Sequence, residues 1–423
     1  MIELITTQSE RAIVVGVATR NISKHQAFEY LNELTLLADT AGATVQHRIL
    51  QERDGIDSAF YIGKGKVEEI KNIAIGDDIQ IIIFDDDLSP VQLRNLERVI
   101  ERKVIDRSGL ILDIFARRAK SNEARTQVEL AQMEYLLPRL TRQWTHLSKQ
   151  FGGIGTKGPG ETQIETDRRI VRERISTLKK KLEKISLQRQ TQRSGRKELF
   201  NVAIVGYTNA GKSTLLNALS DANVFVENRL FATLDTTTRS LAVSPTLNIL
   251  MSDTVGFIRK LPHGLVASFK STLEEVVEAD LLLHVIDTTH PHLEDHIEVV
   301  NSTLEEIGAG GKNILFVFNK IDQLPDRSIL RELQSKFSPS VAISAQRGIN
   351  LLGLREKIAE IVHETFEEIR FTIPISEYKS IVQLRNLAEF VKTEYENEVV
   401  NIKLRVSKRN FSHVKNIIDK IPH

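Results

Sequence analysis

The chain has 423 residues, 41% of them hydrophobic, with no cysteine and a formal net charge of +1. The lack of cysteine excludes disulfides and any zinc site built on thiolates. No apolar run approaches the ~20 residues of a membrane-spanning helix, and the N-terminus lacks a signal-peptide pattern. We therefore expect a soluble, cytoplasmic, monomeric protein of about two to four domains, with no membrane span.

The first predicted domain, residues 1–115, alternates apolar strands with helices, which favours a small α/β domain with a mostly parallel sheet. Strands are predicted at 12–17, 43–50, 60–62, 79–84 and 103–105, and helices at 27–38, 66–74 and 90–100. Two polar patterns allow two interpretations each. The G-K-G-K run at 63–66 suits either an anion site or a tight turn with exposed lysines. The carboxylates of Asp85, Asp86 and Asp87 follow a strand and suit either a metal site or, as we favour, a solvated turn that caps the next helix.

The second predicted domain, residues 116–197, is strongly basic. It holds 20 Lys/Arg against 8 Asp/Glu, a net charge of +12, while the rest of the chain holds 37 against 48, or −11. One or two helices at 110–142 and another at 161–190 flank a glycine-rich stretch at 151–160, which predicts an αα-hairpin. This charge segregation indicates a polyanionic partner, and a flexible loop between basic helices fits an irregular RNA surface. The predicted RNA contacts are Gly152, Gly153, Gly155, Lys157, Gly158, Gly160, Arg168 and Arg169.

Two alternatives remain open for this hairpin. The glycine-rich stretch could be a plain connector between two solvated helices. Trp144 and Phe151 flank it, and each suits either stacking on bases or packing in a core. A polar linker is predicted at 190–197.

A phosphate-binding loop is predicted at residues 206–213, which read G-Y-T-N-A-G-K-S. An apolar, β-branched run at 200–205 precedes it and a helical pattern follows it, as this motif requires. Glycines let the backbone wrap a polyphosphate, and the loop amides and helix N-terminus attract its charge. Lys212 is expected to reach the β- and γ-phosphates, and Ser213 to bind Mg²⁺.

Three further motifs follow apolar strands in the same predicted domain, residues 198–366. Thr233 is expected to bind Mg²⁺ and the γ-phosphate, with the threonines at 236–238 as competitors. Asp253 is expected behind the Mg²⁺, and the Gly256 amide at the γ-phosphate. Asp322, in N-K-I-D, offers two oxygens to the N1 and N2 donors of guanine, which adenine lacks.

Because the carboxyl ends of parallel strands share one edge of a sheet, these motifs together predict a GTP site. The turn after the strand at 341–343 is expected to meet guanine O6. The predicted nucleotide contacts are Gly206, Tyr207, Thr208, Asn209, Ala210, Gly211, Lys212, Ser213, Thr214, Phe231, Ala232, Thr233, Leu234, Asp235, Asp253, Thr254, Val255, Gly256, Asn319, Lys320, Ile321, Asp322, Ser344 and Ala345.

A small α+β domain is predicted at the C-terminus, residues 367–423. Its expected elements are a strand at 370–375, a helix at 379–393, a strand at 399–406 and a helix at 411–421. No chemistry is evident in it. The predicted fold is thus a P-loop GTPase domain, preceded by an α/β domain with a basic helical hairpin and followed by this α+β domain.

Residues 206–345 resemble a translation-factor-class GTPase, and the flanking motifs resemble the HflX family. The motifs that carry the second resemblance are F-A-T-L-D at 231–235, the glycine-rich stretch continued by E-T-Q-I-E-T-D-R-R at 161–169, and Y-I-G-K-G-K at 61–66. The resemblance implies a GTPase that binds the large ribosomal subunit and splits or rescues stalled ribosomes under stress. It implies that the N-terminal domain contacts ribosomal RNA near the peptidyl-transferase region. It also implies ATP hydrolysis and RNA remodelling, which nothing in Asp322 predicts.

Hydrolysis presents a gap, because Phe257 stands where Ras-like enzymes place a water-orienting glutamine after D-x-x-G. We therefore expect slow intrinsic turnover, stimulated when the ribosome orders Thr233 and residues 257–265. Asn209 matches the loop asparagine that holds K⁺ in the related TrmE-like GTPases, so K⁺ stimulation is a second hypothesis. The alternative is that Asn209 merely suits the loop backbone.

The sequence also allows a metal site and two other functions to be considered. His290, His292 and His296 could suggest a metal site, but their spacing is poor for one helix face, and we favour ordinary loop and helix-start residues. A GTPase coupled to transfer-RNA modification is disfavoured, since TrmE-like members rely on a C-terminal cysteine. A GTP-dependent RNA-binding or protein-partner switch that does not act on ribosomes remains the alternative.

Overall fold

The computed structural model describes residues 9–140, 163–193, 199–220, 230–231, 233–244, 247–261, 270–326, 328–396, 399–407 and 411–420. Within these residues the strands form three separate sheets. We call residues 9–118 the N-terminal unit, 199–364 the central unit and 366–420 the C-terminal unit. No described helix is long and apolar enough to cross a membrane.

The N-terminal unit is built on a parallel sheet of order β2-β1-β3-β4. Its β1 strand is buried on both faces from residue 12 onward, because helices pack on each side of it. The elements are β1 (Glu10–Ala18), α1 (Lys24–Thr40), β2 (Ala43–Glu52), α2 (Lys64–Gly76), β3 (Ile81–Phe84), α3 (Pro90–Ile100), β4 (Lys103–Asp106) and α4 (Arg107–Arg118). The expected strand at 60–62 is instead an isolated bridge between Asp57 and Tyr61.

Two further helices extend from this unit. They are α5 (Asn122–Leu136), which ends in a 3-10 turn (Leu137–Arg139), and α6 (Gln163–Arg193). Helix α6 packs along α5, with ion pairs Arg174–Glu129 at 2.5 Å and Lys179–Glu134 at 2.9 Å. The basic charge of α6 is thus partly matched by α5.

The central unit has a sheet of order β10-β9-β8-β5-β7-β6, parallel except for the β6–β7 pair. Its elements are β5 (Phe200–Gly206), α7 (Lys212–Leu219), β6 (Thr237–Ser244), β7 (Leu247–Asp253), α8 (Lys270–Glu278), β8 (Leu281–Asp287), α9 (Leu293–Glu306), β9 (Asn313–Asn319), α10 (Ser328–Lys336), β10 (Ser340–Ala342) and α11 (Leu351–Glu364). Strand β5 lies between β8 and β7, so the loop after it opens where the strand order reverses. Ligands of open α/β sheets bind at such a point.

The C-terminal unit is an antiparallel sheet of order β11-β13-β12 with helices on it, an α+β arrangement. Its elements are β11 (Phe366–Pro374), α12 (Tyr378–Leu387), β12 (Glu389–Glu396), β13 (Val399–Ser407) and α13 (Phe411–Ile418). The helix expected at 379–393 was wrong beyond Leu387. The backbone becomes extended at Ala388. The β-branched and aromatic residues after it pair with β13 instead of continuing the helix.

One hydrophobic core joins the N-terminal and central units. It contains residues of β1, α1 and α4 together with Tyr207, Leu230, Phe231, Leu234, Val255 and Ile258. The second group comes from the loop after β5 and from the segments on either side of β6 and β7. The site described next is therefore packed directly against the N-terminal unit.

Candidate functional site

The loop predicted to bind phosphates connects β5 to α7. Gly206 ends the strand with φ 151°, and Gly211 caps the helix with φ 96°. A Cβ on Gly211 would lie 2.3 Å from Asn319 Nδ2, so only glycine fits there. Helix α7 then begins at Lys212, so its free N–H groups face the concave side of the loop.

A cavity of about 380 Å³ opens at this loop. Fourteen of the predicted nucleotide contacts line it: Thr208, Asn209, Gly211, Lys212, Ser213, Thr214, Phe231, Thr233, Thr254, Gly256, Asn319, Lys320, Asp322 and Ser344. Gln323 and Gln346 line it as well and were missed by sequence reasoning. Each directly follows a recognised motif, which is the signal that could have found them.

Lys212 lies buried at the base of the cavity. Its Nζ donates to the carbonyls of Gly206 at 3.1 Å and Tyr207 at 2.8 Å. Burial lowers the pKa of Lys212 to about 8, while the Asp253 carboxylate acts in the opposite direction. Gly256 passes so close that an added Cβ would lie 2.9 Å from Nζ and 2.8 Å from Thr208 Cα. The Lys212 ammonium group and the Gly256 backbone therefore lie next to each other in the cavity.

Three oxygen-bearing side chains converge beside Lys212. Ser213 Oγ lies 2.6 Å from Thr233 Oγ1 and 2.6 Å from Asp253 Oδ2. Burial raises the pKa of Asp253, and its Oδ1 is buried with no hydrogen-bond partner among the described residues. Two hydroxyls backed by a carboxylate with a free oxygen are the hard donors that Mg²⁺ prefers. These three residues therefore fit the metal that the sequence predicts.

Asn319 holds the phosphate loop from its other side, next to Gly211. It donates through Nδ2 to the Ala210 carbonyl at 2.8 Å and accepts at Oδ1 from the Ala345 amide at 2.9 Å. One buried side chain thus ties the phosphate loop to the turn after β10. Asp322 also lines the cavity and is largely buried, with Arg347 at 3.9 Å. Lys320 pairs with Asp287 at 2.6 Å.

The other predicted contacts lie away from the cavity lining. Gly206 acts through its carbonyl and Asp253 stands behind Ser213, while Ala210 and Ala345 belong to the core of the central unit and Ile321 to a neighbouring cluster. Ala232 lies outside the described residues. Tyr207, Leu234 and Val255 face the N-terminal unit instead, and Asp235 bonds to Ser121 at the start of α5.

Residues 230–231 and 233–236, here called the first switch segment, are anchored on the N-terminal unit and α5. The Phe231 ring meets Phe115 of α4 edge-on, with centroids 4.8 Å apart. The Asp235 carboxylate accepts from the amides of Lys120 at 3.0 Å and Ser121 at 3.2 Å, and from the Ser121 hydroxyl. The segment that carries Thr233 is therefore held from outside the central unit.

Residues 254–261, the second switch segment, are held by buried ion pairs. Arg259 contacts Asp85 at 2.8 Å and Glu33 at 3.2 Å, and Lys260 contacts Asp85 at 3.1 Å. Arg107, which is 1% exposed, joins both carboxylates. Burial raises the pKa of Asp85 and of Glu33, but these cations outweigh it and hold both pKa values below their ordinary range.

This cluster corrects the interpretation of Asp85 as part of a solvated turn. Asp85 is 3% exposed and carries the central anion of an interface. The misreading has a physical reason: an acidic run after a strand has the same pattern whether water or a distant Arg neutralises it. Asp86, which bonds to Tyr61 and Lys260, belongs to the same interface.

Phe257 occupies the position after D-x-x-G and is 2% exposed. Its backbone bridges to Tyr207, and its ring packs with residues of β5 and α8. The Phe257 side chain therefore points into the core and cannot orient a water molecule in the cavity.

The structure describes two of the eight predicted RNA contacts, Arg168 and Arg169. Gly152, Gly153, Gly155, Lys157, Gly158 and Gly160 lie outside the described residues, as do Trp144 and Phe151. Arg168 is partly buried and donates to the Leu140 carbonyl at 3.1 Å, whereas Arg169 is exposed. Arg172, Lys180 and Lys184 of α6 are also exposed, so this helix presents a basic surface.

Three family models match the chain. Residues 28–116 match "GTP-binding GTPase N-terminal", residues 118–196 match "GTP-binding GTPase Middle Region", and residues 201–320 match "50S ribosome-binding GTPase". The matches cover most of the N-terminal unit, the basic helices, and the central unit from the phosphate loop as far as Lys320.

Named relatives agree with these models. A GTPase HflX of Caldanaerobacter subterraneus is 44% identical over 98% of this chain and 95% of its own length. That of Flavobacterium psychrophilum is 54% identical over 76% of this chain and 78% of its own length. A GTP-binding protein of Sulfolobus solfataricus, solved with GDP, is 28% identical, covers 83% of this chain and 98% of its own, and has a TM-score of 0.45.

Proposed function

This chain belongs to the HflX family of GTPases, and we propose that it binds the large ribosomal subunit in its GTP state and splits or rescues stalled ribosomes under stress. The family models and relatives confirm the resemblance drawn from the motifs, the P-loop fold class and the GTPase activity. The matching model's description as a 50S ribosome-binding GTPase supports the choice of subunit.

One observation carries the proposal: both switch segments are anchored on the N-terminal unit, which the family resemblance assigns to ribosomal RNA, or on the start of α5 that follows it. Phe231 and Asp235 anchor the first segment, and Arg259 and Lys260 anchor the second. A γ-phosphate that rearranges either segment must therefore disturb contacts with α4, α5 or Asp85. Ligands at the two ends of this chain of contacts would bias the same equilibrium, which is what a nucleotide-controlled binder needs.

In the cavity we assign the phosphates to the α7 N-terminus and Lys212, and guanine to Asp322. Lys212 would exchange its two carbonyl partners for phosphate oxygens, and phosphate charge would favour its protonated form. Ser213 and Thr233 would hold Mg²⁺, with Asp253 accepting hydrogen bonds behind it. When bound, the ion supplies positive charge to the phosphate oxygens.

The gap at Phe257 supports slow intrinsic turnover. With that side chain in the core, the nearest groups to an attacking water would be the Thr233 carbonyl and the Gly256 amide. Both belong to anchored switch segments, so we propose that the large subunit completes the site by positioning them. Asn209 lines the cavity with φ 62°, and we propose that it also supports a K⁺ ion at the phosphates.

Co-sedimentation with purified large subunits tests the binding step. We expect retention with a non-hydrolysable GTP analogue and much weaker retention with GDP or without nucleotide. Asp235→Asn weakens the anchor of the first switch segment and should reduce this nucleotide discrimination, whereas Asp54→Asn, on an exposed loop, should not. Absence of retention in every state would refute the ribosome assignment and favour an RNA-binding or protein-partner switch.

Splitting is tested separately by light scattering of intact ribosomes. We expect the scattering to fall when the chain and the GTP analogue are added together. If the chain binds large subunits but leaves intact ribosomes unchanged, the splitting role is wrong while the binding role stands. An ATP control should leave the scattering unchanged, since Asp322 lacks a matching donor pair in adenine.

A further inference from the structure

A second cavity, of about 700 Å³, lies between the N-terminal and central units. Helix α1 lines one side, and α9 and the phosphate loop line the other. Inside it the His296 ring stacks on Tyr207, with centroids 3.7 Å apart, and His290 lies 4.0 Å from His296. His296 therefore packs on Tyr207 and His290 packs on His296, while His292 lines the cavity beside them.

His292 lies opposite two residues of α1. His25 and Glu29 are four residues apart on that helix, so their side chains share one face, one turn apart. Among the described residues, potential ligand atoms of His25, Glu29 and His292 all lie within 4.8 Å of one another. The His25 and His292 rings have centroids 6.1 Å apart.

The two nitrogens of the His292 ring have different surroundings. Its Nδ1 lies 3.7 Å from Asp295 Oδ2, while its Nε2 is buried with no hydrogen-bond partner among the described residues. Metal-binding histidines commonly direct one ring nitrogen to a carboxylate and leave the other for the ion. The His292 amide also donates to His290 Nδ1 at 3.1 Å, which fixes the turn before α9.

We infer that His25, Glu29 and His292 form a Zn²⁺ site that joins α1 to the start of α9. Two imidazoles and one carboxylate are a recurrent zinc ligand set, and a water from the cavity supplies the fourth ligand. Tetrahedral Zn²⁺ holds its ligands roughly 3.4 Å apart, so modest rotations close the 4.8 Å triangle. Hard cations are disfavoured, because Mg²⁺ and Ca²⁺ select oxygen donors.

The site bridges the same two units as the Asp85 cluster. Glu29 and His292 line the cavity that also reaches Thr208 and Asn209 of the phosphate loop. A bound ion would fix α1 against α9 and so stabilise the arrangement in which both switch segments are anchored. Because zinc would bind the folded state, it would raise the unfolding temperature, and the rise would grow with the logarithm of the zinc concentration relative to Kd.

Zinc binding is measured on the full chain by titration calorimetry, with MgGDP present to occupy the nucleotide site. We expect one Zn²⁺ per chain, with affinity at least tenfold lower in His25→Ala, Glu29→Gln and His292→Asn. Glu29→His should retain binding, because it supplies a third imidazole. His413→Ala, an exposed histidine on the C-terminal unit, is the matched control and should bind like the parent chain.

Two further readouts guard against misfolding and adventitious binding. Co²⁺ in place of Zn²⁺ should give the intense visible absorption of a tetrahedral ion in the parent and in Glu29→His, and lose it in Glu29→Gln. Zinc should raise the unfolding temperature of the parent and the control but not of His25→Ala, whose side chain is exposed and not needed for packing. Equal zinc affinity in the parent and the ligand variants, or no uptake by the parent, would overturn the site.

Discussion

We assign the recognition of guanine to Asp322. Its carboxylate lines the cavity, is largely buried and lies 3.9 Å from the Arg347 side chain. Removing a charged acceptor from a buried donor pair costs about 1.5–3 kcal/mol. We predict that Asp322→Asn binds GTP roughly 10- to 100-fold more weakly.

The same substitution should improve binding of xanthine nucleotides, whose second carbonyl can accept from the new amide. Equilibrium binding of fluorescent GDP and XDP measures both changes, with Asp77→Asn on the exposed α2 terminus as the control. Equal loss for both nucleotides would show that Asp322 holds the fold of the loop and does not read the base.

Asn209 is the residue that tests for a monovalent cation. It lies in a left-handed conformation at the cavity edge, next to the expected phosphates. We predict faster GTP hydrolysis in K⁺ than in Na⁺ at equal ionic strength, and loss of that difference in Asn209→Ala. If the two salts give the same rate with the parent chain, the asparagine serves only the loop backbone.

At the scale of elements, the contact between β3 and the second switch segment is the feature that most needs testing. Asp85→Asn would leave Arg107 and Arg259 buried with one carboxylate, Glu33, between them. Breaking a buried ion pair on one side costs about 3–5 kcal/mol. We predict a loss of stability of that order in urea unfolding.

A control for this prediction is Asp86→Asn, since Asp86 is more exposed and contacts Lys260 and Tyr61 only at the edge of the cluster. It should lose much less stability. A loss in Asp85→Asn no larger than in Asp86→Asn would mean that the cluster is solvated and does not hold the switch segment.

Sequence reasoning was strongest where a motif and its strand carry the information together. Gly211 and Lys212 are predictable because a P-loop needs glycine and lysine at fixed offsets between a strand and a helix. Asp85 was misread because two of its partners, Arg259 and Lys260, lie over 100 residues away, and no local period encodes such a pairing. The helix predicted over residues 389–393 was wrong for a related reason. The pairing of this segment with β13 outweighs a helical pattern that continues from α12.

At the scale of the whole molecule, the +12 segment is expected to act as the electrostatic part of the ribosome contact. Arg172 and Lys180 are exposed on α6, and neither is one of the residues that form the ion pairs with α5 described above. If about four basic side chains contact phosphates, the logarithm of the binding constant should fall with log salt with a slope of roughly −3 to −4.

Removing one contact should lower that slope by about one. We predict this for Arg172→Ala and Lys180→Ala in salt titrations of large-subunit binding. Lys392→Ala, on the exposed β12 strand, should leave the slope unchanged. Salt-independent binding by the parent chain would make the basic helix a solvated arm.

The measurement that tests the central claim most directly is GTP turnover with and without purified large subunits, at saturating GTP and in potassium buffer. With Phe257 in the core and the switch segments anchored on the N-terminal unit, we predict slow turnover alone and a large increase on the subunit. The Asp235→Asn variant should gain less, because its first switch segment is held less firmly to Ser121. Equal rates in the presence and absence of the subunit would contradict a ribosome-completed active site.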